Sequence, residues 1–518
     1  RNFLRWARAS YSAPLTNVLL IGKGVIYTSY RAGQSNADMG LLQLIPTFGS
    51  PASDMLLSAA GSSSLPLTPI GRISAISKNE VTEYLNKVTE YEADQHASSS
   101  LVADQSWKKN VIHVTGGSDD GTSNILKAAL DGQRPIIEDS MYGARVYTFA
   151  KSTADAVQQL SSSELARLLS AGIGVLTYFG HSSASTLEFN LESPENYNNQ
   201  GKYPIMIVMG CNAGNFFTFN PGRLLVHETI SEKYVLAKDR GAVAFLASTH
   251  LGIVHYLDIY NTRHYKTIAT THYGATVGEI MQETIKKVFQ LTTESDFYAR
   301  MQCEQFTLHG DPAIRYHTFE KPDYVVEDPM VEAIPKILSV AETEFTIKAA
   351  VMNIGKAPDK DVVVELKRTY PDLSVEVIRR DTIAFNKIQD SLTYVIPIVA
   401  SRDKGLNKIT ITVDADEQVD ELYETNNIVT KDLYIIEDDL RPAYPYDFSI
   451  VNEQNIKFIA STANPFAVTR TYRMDIDTTP LFNSSWRTSQ QMTAQGGIVE
   501  FTPSVTFTDS TVYYWRVA

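Results

Sequence analysis

The hydrophobic pattern of residues 1 to about 320 switches repeatedly between two periods. Short, mainly apolar runs, "NVLLIG" (17–22), "NVIHVTGG" (110–117), "IGVLTYFG" (173–180), "YPIMIVMG" (203–210) and "GAVAFLAS" (241–248), read as strands of a buried sheet. Between them, "KNEVTEYLNKVTEYEAD" (78–94) and "TVGEIMQETIKKVFQ" (276–290) place apolar residues at helical spacing. "SSSELARLLSAG" (161–172) reads as a helix capped by its serines and stopped at Gly172. Strands alternating with helices predict an α/β domain, a parallel sheet with helices on its faces.

The pattern changes near "HTFEKPDYVVEDP" (317–329). Beyond it, "TEFTIKAAVMNIG", "KDVVVELKRTY", "LTYVIPIVA" and "NKITITVDA" alternate with period two between turn-rich stretches, as in an antiparallel β-sandwich. The Pro-rich "DDLRPAYPYD" (438–447) marks a second boundary, and "NIKFIAST", "TRTYRMDIDT" and "STVYYWRVA" predict another sandwich. Three domains are therefore expected: α/β over 1–320, and all-β immunoglobulin-like sandwiches over 321–437 and 438–518. The pattern begins inside a helix ("RNFLRWARASYS") and ends inside a strand. The chain thus reads as a piece of a longer protein, with an incomplete last sandwich and its targeting signals elsewhere.

Composition changes this picture little. The 518 residues are 43% hydrophobic and 20% charged, ordinary for globular domains, and too many for one core. The formal charge of −13 argues against a nucleic-acid partner. No apolar run is long enough for a membrane helix. Two cysteines, Cys211 and Cys303, exclude a disulfide framework.

Those cysteines sharpen one region. "TYFGHSSAST" (177–186) and "MIVMGCNAGN" (206–215) each carry an apolar strand that stops at one reactive side chain among small, polar ones: His181 and Cys211. In an open α/β sheet, functional groups collect beyond the carboxyl ends of strands. A thiol and an imidazole on neighbouring strand ends suit a cysteine nucleophile. The thiolate attacks a carbonyl, and the histidine promotes thiolate formation and protonates the leaving amine. Backbone N–H groups of Cys211 and Ser182 are candidate oxyanion donors. His250, after the strand "FLAST", is a candidate for the same cleft.

Other residues point to packing or turns. Cys303 falls in a helical pattern, and His309 and Asp311 in "LHGDP" suit a closing turn. His250, His255, His264 and His272 lack a compact metal-ligand spacing, so no metal site is expected. "GKGV" (22–25) and "VTGGSDDGTS" match no phosphate loop. The acidic stretch 413–427 fails EF-hand spacing, with Val419 and Thr425 at the sixth and twelfth positions from Asp414.

"YFGHSS", "GCNAG", "GAVAFLAST" and "TLHGDPAIR", in that order after "IPTFGSPASDMLL" and "PIGRISA", resemble the gingipain-type cysteine peptidases, which have a caspase-like fold. The resemblance covers roughly residues 1–320 and implies Cys211 as nucleophile and His181 as base. The longer strings "GHSSASTLEFNLESPENYNNQGKYPI" and "GCNAGNFF" are most similar to the PorU-type sortases of the bacterial type IX secretion system. That subgroup implies a surface protease, peripheral on the outer membrane through a partner protein and exported by a signal peptide outside this fragment. It would remove the C-terminal signal domain of cargo proteins and transfer the cargo to a lipopolysaccharide. A general gingipain-like protease and an inactive surface scaffold are the alternatives. Gingipain relatives also bind structural calcium, for which no ligands are assigned here. Two departures stand out. Ser182 replaces the family's glycine after the histidine. Thr115 stands where the family has an acid before Gly-Gly, leaving Asp119 and Asp120 as candidate orienting carboxylates. Residues 322–436, with "VMNIGKAPDKDVVVELK" and "VDELYETNN", resemble CARDB-type β-sandwiches.

Overall fold

A computed structural model describes the chain except residues 118, 151–154, 190, 192, 359 and 385–387. Eight strands form one sheet: β1 (Val18–Ile21), β2 (Ile70–Ile73), β3 (Asn110–Gly116), β4 (Arg145–Ala150), β5 (Val175–Gly180), β6 (Ile205–Met209), β7 (Ala244–Ser248) and β8 (Phe306–His309). Their order is β1-β2-β8-β7-β6-β5-β3-β4. β5, β6 and β7 are apolar in sequence because helices cover both faces. Every residue of β6 and β7 is buried.

The sheet is not wholly parallel. β7 and β8 pair antiparallel, with Ser248 opposite Phe306, while the other neighbours are parallel. The chain leaves the carboxyl end of β7, runs through helices Val254–Lys266, Val277–Thr292 and Phe297–Gln305, and re-enters beside the end it left. An antiparallel pair needs no crossover, so the apolar pattern alone does not distinguish the two directions.

Local signals set most helix ends. Ser77 caps Lys78–His96, and Thr276 forms a capping box with Glu279 at the start of Val277–Thr292. The helix expected to begin at the serines 161–163 begins elsewhere. Their helix starts earlier, at Asp155, and they lie within it. Gly172 ends it at φ +110°, a conformation open to glycine.

Two β-sandwiches follow. The first packs a five-stranded sheet (Leu338–Ser339, Asp361–Thr369, Val375–Ala384, Gly405–Val413, Ile428–Ile436) on a four-stranded one (Tyr324–Val325, Val331–Ile334, Glu344–Asn353, Gln389–Pro397). Phe345, Ile347, Val364, Ile411 and Ile435 fill the space between. The second pairs two three-stranded sheets around Phe458, Met474, Ile476 and Phe501.

The first sandwich docks against the amino ends of β3 and β4. Buried Lys109 donates to the carbonyls of Asn353 (3.1 Å) and Gly355 (2.5 Å). Asn426 donates to the Ser100 carbonyl, and the Ala357 N–H to that of Met141. Burial pushes the Lys109 ammonium down to about 7. This junction covers one edge of the sheet and leaves the opposite, carboxyl edge open.

Candidate active site

The register of β5 on β6 pairs Phe179 with Met209. His181 and Cys211 each lie two residues further on, so they stand at equivalent positions on neighbouring strand ends. The strand ends are tied together by Ser182, whose hydroxyl donates to the Cys211 carbonyl at 2.8 Å. The serine that departs from the family pattern is thus a tether. Gly210 allows the approach: a Cβ there would stand 2.6 Å from the Gly180 carbonyl oxygen.

Tyr178 fixes the His181 side of the site. Its buried hydroxyl donates to the His181 carbonyl (2.6 Å) and accepts from the Glu188 N–H (3.0 Å). A Cβ on Gly116 would stand 2.1 Å from that hydroxyl oxygen. The residues after His181 turn back at once: Ser183 Oγ accepts from the Ser185 and Thr186 N–H groups, and Ser182 and Leu187 form an antiparallel bridge. The His181 N–H is held by the Gly116 carbonyl at 3.0 Å, and its ring is exposed.

Cys211 is half-buried, and its sulfur accepts from the Gly252 N–H at 3.3 Å. The next residue, Asn212, has φ +58°, in the left-handed region that asparagine tolerates. It donates its N–H to the His250 carbonyl, and Gly214 donates to that of Ser248. The turn therefore lies along the end of β7, which brings exposed His250 beside Cys211 in the row of strand ends. Among the described residues, the N–H groups of Ser182 and Cys211 donate to no protein group, and the His181 ring has no partner.

The expected orienting groups are placed differently. Asp119 caps the helix Asp120–Glu138, accepting from the Thr122 N–H (2.9 Å) and hydroxyl (2.8 Å). Asp120 is exposed in the first turn. Thr115 is buried on β3, and among the described residues its hydroxyl oxygen has no hydrogen-bond partner. The structure thus brings His181, Cys211, Ser182 and His250 to one edge and engages Asp119 elsewhere. Gly252, Tyr178 and Glu188 were not singled out from sequence. Only the Ser183 turn, which folds Glu188 back, carries a local signal.

A buried ionic cluster holds the loop after Cys211 from behind. Glu232 contacts Lys23 (2.9 Å) and Arg223 (3.1 Å), and Lys23 also donates to the Phe216 carbonyl. Burial alone raises the Glu232 carboxyl, but Lys23 and Arg223 outweigh it and hold the group at about 2. Beside it, Arg72 makes a two-pronged bond to Asp54 and stands over the Phe217 ring. The first quarter of the chain is thereby locked to the segment carrying the nucleophile.

His264, His309 and the second cysteine are buried and structural. His264 bonds Tyr316 and Thr284, and the Ser74 N–H donates to His309. Cys303 is fully buried, and burial pushes its thiol far up. Among the described residues no group of three or more His, Cys, Asp or Glu could hold a metal ion. No helix among them is long and apolar enough to cross a membrane.

A thiol, an unengaged imidazole and two unengaged backbone donors at one sheet edge provide for acyl transfer. The family model "Peptidase family C25" matches residues 1–317, and the CARDB model matches 321–431. None of the curated proteins compared matches the chain. Among solved structures, the chain is similar to the Arg-specific cysteine proteinase gingipain R, with 16% identity, TM-score 0.45, and coverage of 84% of this chain and 87% of that one. It is also similar to the complex of pro- and mature RgpB domains from Porphyromonas gingivalis, with 16% identity, TM-score 0.44, and 84% and 89% covered. A CARDB domain from Pyrococcus furiosus, solved with two metal ions, shows 25% identity over 23% of this chain and 91% of that one, with TM-score 0.19. The chain belongs to peptidase family C25, the gingipain family of cysteine peptidases.

Proposed function

We propose that this chain is a sortase-type member of the family, which cuts the C-terminal signal domain from secreted cargo and passes the cargo to an amine on a surface lipopolysaccharide. The observation that carries the catalytic part is the pairing of Cys211 and His181 on neighbouring strand ends, with a donor from Gly252 on the sulfur. The sortase part is supported by the likeness of the strings around His181 and Cys211 to the PorU-type subgroup. The same likeness supports a place on the bacterial surface, held at the outer membrane by a partner protein.

The chemistry has two halves. The Cys211 sulfur attacks the scissile carbonyl carbon while the N–H groups of Ser182 and Cys211 receive the developing oxyanion. The C–N bond breaks, His181 gives its proton to the leaving amine, and the cargo remains as a thioester. An incoming amine then attacks the thioester carbon, His181 takes up a proton, and the thiolate leaves. Water in place of the amine gives hydrolysis.

The test incubates cargo bearing its signal domain with the protein and with Cys211→Ala, with and without an added amine, and measures product masses. The proposal expects cleavage by the wild type alone and a product heavier by the acceptor. Cleavage giving only the water product describes a plain protease. Broad cleavage of unrelated proteins describes a gingipain-like one. No cleavage by either protein describes a scaffold.

A further inference from the structure

His181 is exposed and, among the described residues, its ring is bonded to nothing. A cysteine–histidine pair works best when a third group fixes the orientation and tautomer of the ring. Thr115 offers no carboxylate, and Asp119 is engaged as a helix cap. The structure nevertheless sets one more acid beside the His181 backbone.

The bridge between Ser182 and Leu187 makes His181 and Glu188 directly opposite each other in a two-stranded antiparallel turn. The Glu188 N–H donates to the His181 carbonyl at 3.2 Å, and the Tyr178 hydroxyl bonds both residues from behind. Opposed residues of such a pair carry their Cβ atoms on the same face, about 5 Å apart. Glu188 is half-buried, and among the described residues its buried Oε2 has no hydrogen-bond partner. A buried carboxylate oxygen left in this state is costly and calls for an explanation. The unpartnered acceptor and the unpartnered ring thus belong to residues whose backbones are already bonded.

We propose that Glu188 is the positioning acid of His181, accepting a hydrogen bond from the ring nitrogen that faces away from Cys211 during turnover. The two side chains do not form an ion pair in this structure. The pairing supplies from the turn after the histidine what the family pattern supplies from the position of Thr115. This inference rests on the assignment of Cys211 and His181 as the reacting pair.

The test compares wild type, Glu188→Gln and Glu188→Asp in steady-state cleavage of one peptide substrate, alongside thermal unfolding. Glu188→Gln keeps the size and can still accept a hydrogen bond but lacks the charge. Its kcat should fall on the order of 10²-fold, with KM and melting temperature unchanged. Glu188→Asp should recover part of the loss. Wild-type kcat in Glu188→Gln, or equal losses in both variants together with a lower melting temperature, would overturn the proposal. A wild type that cleaves nothing counts against the peptidase assignment instead. The pairing is then read from iodoacetamide alkylation of Cys211, expected about tenfold slower in Glu188→Gln, and an unchanged rate would overturn it.

Discussion

The two edges of the large sheet are built on opposite principles. At the amino edge several polar groups bond across the junction to the sandwich: Lys109 to two carbonyls, Asn426 Nδ2 to Ser100, Ala357 to Met141. At the carboxyl edge the His181 ring and the N–H groups of Ser182 and Cys211 make no bond to the protein among the described residues. Backbone and side-chain donors near a fold's interior are ordinarily satisfied. A bonded edge holds a neighbouring domain in place, whereas an edge with unengaged donors awaits a ligand. The same sheet therefore serves as a mount at one end and as a reaction site at the other.

The comparison breaks most sharply at His181. His181→Ala removes the proton carrier and should lower kcat/KM by about 10³- to 10⁴-fold, without changing the melting temperature, since the ring makes no bond to the protein. A matching loss of stability would show that the ring is structural.

Behind the reaction edge, Glu232→Ala leaves Lys23 and Arg223 buried without their shared carboxylate and should cost about 3–5 kcal/mol in denaturant unfolding. The two ends should also respond to pH with opposite sign. Glu232 is held at about 2, below its ordinary value of 4.5, so its stabilisation is present above pH 4.5 and is lost as pH falls toward 2. Glu421 lies at the foot of the first sandwich, where its carboxylate accepts from the Tyr324 N–H. Burial, with Glu424 and Asp414 adding to it, pushes this carboxyl from 4.5 up to about 8. Its contribution is fully present below pH 4.5 and is lost as pH rises to about 8. Melting temperatures across this range should show Glu421→Gln less sensitive than wild type between pH 5 and 8. Glu232→Gln, which also leaves Lys23 and Arg223 without their shared charge, should melt below wild type near neutral pH and lose the acid-side dependence. The smallest effect is expected at Asp119. Its replacement by Ala should cost about 1 kcal/mol through the lost helix cap and leave cleavage in place. A large loss of kcat would restore it as an orienting acid.

Much of this was open to reading in the chain. β5 and β6 are mainly apolar runs followed or closed by glycine, so His181 and Cys211 were recognisable as strand-end residues. β2, β4 and β8 were missed because β4 is a half-exposed edge strand of mixed polarity and β2 and β8 have only four residues each. The antiparallel direction of β8 leaves no trace in an apolar pattern. Gly252 meets the sulfur from 41 residues away, a relation set by how the end of β7 lies over the Cys211 turn. Glu188 was hidden for a related reason. Ser183 announces a turn, but the sequence does not say that the residue returning beside the histidine is an acid with a free oxygen. The Asp119 cap is a local motif, and a local reading with Thr122 in view assigns it to the helix.

The central claim is that Cys211 is the nucleophile. The most direct measurement mixes the folded protein with a peptide library, quenches in acid, and maps covalent adducts by mass, with Cys211→Ala as control. The account predicts an acyl adduct on the Cys211 peptide that hydroxylamine releases, cleaved products with the wild type, and neither with the variant. Cleavage persisting in Cys211→Ala, or an acyl adduct on another residue, would contradict it.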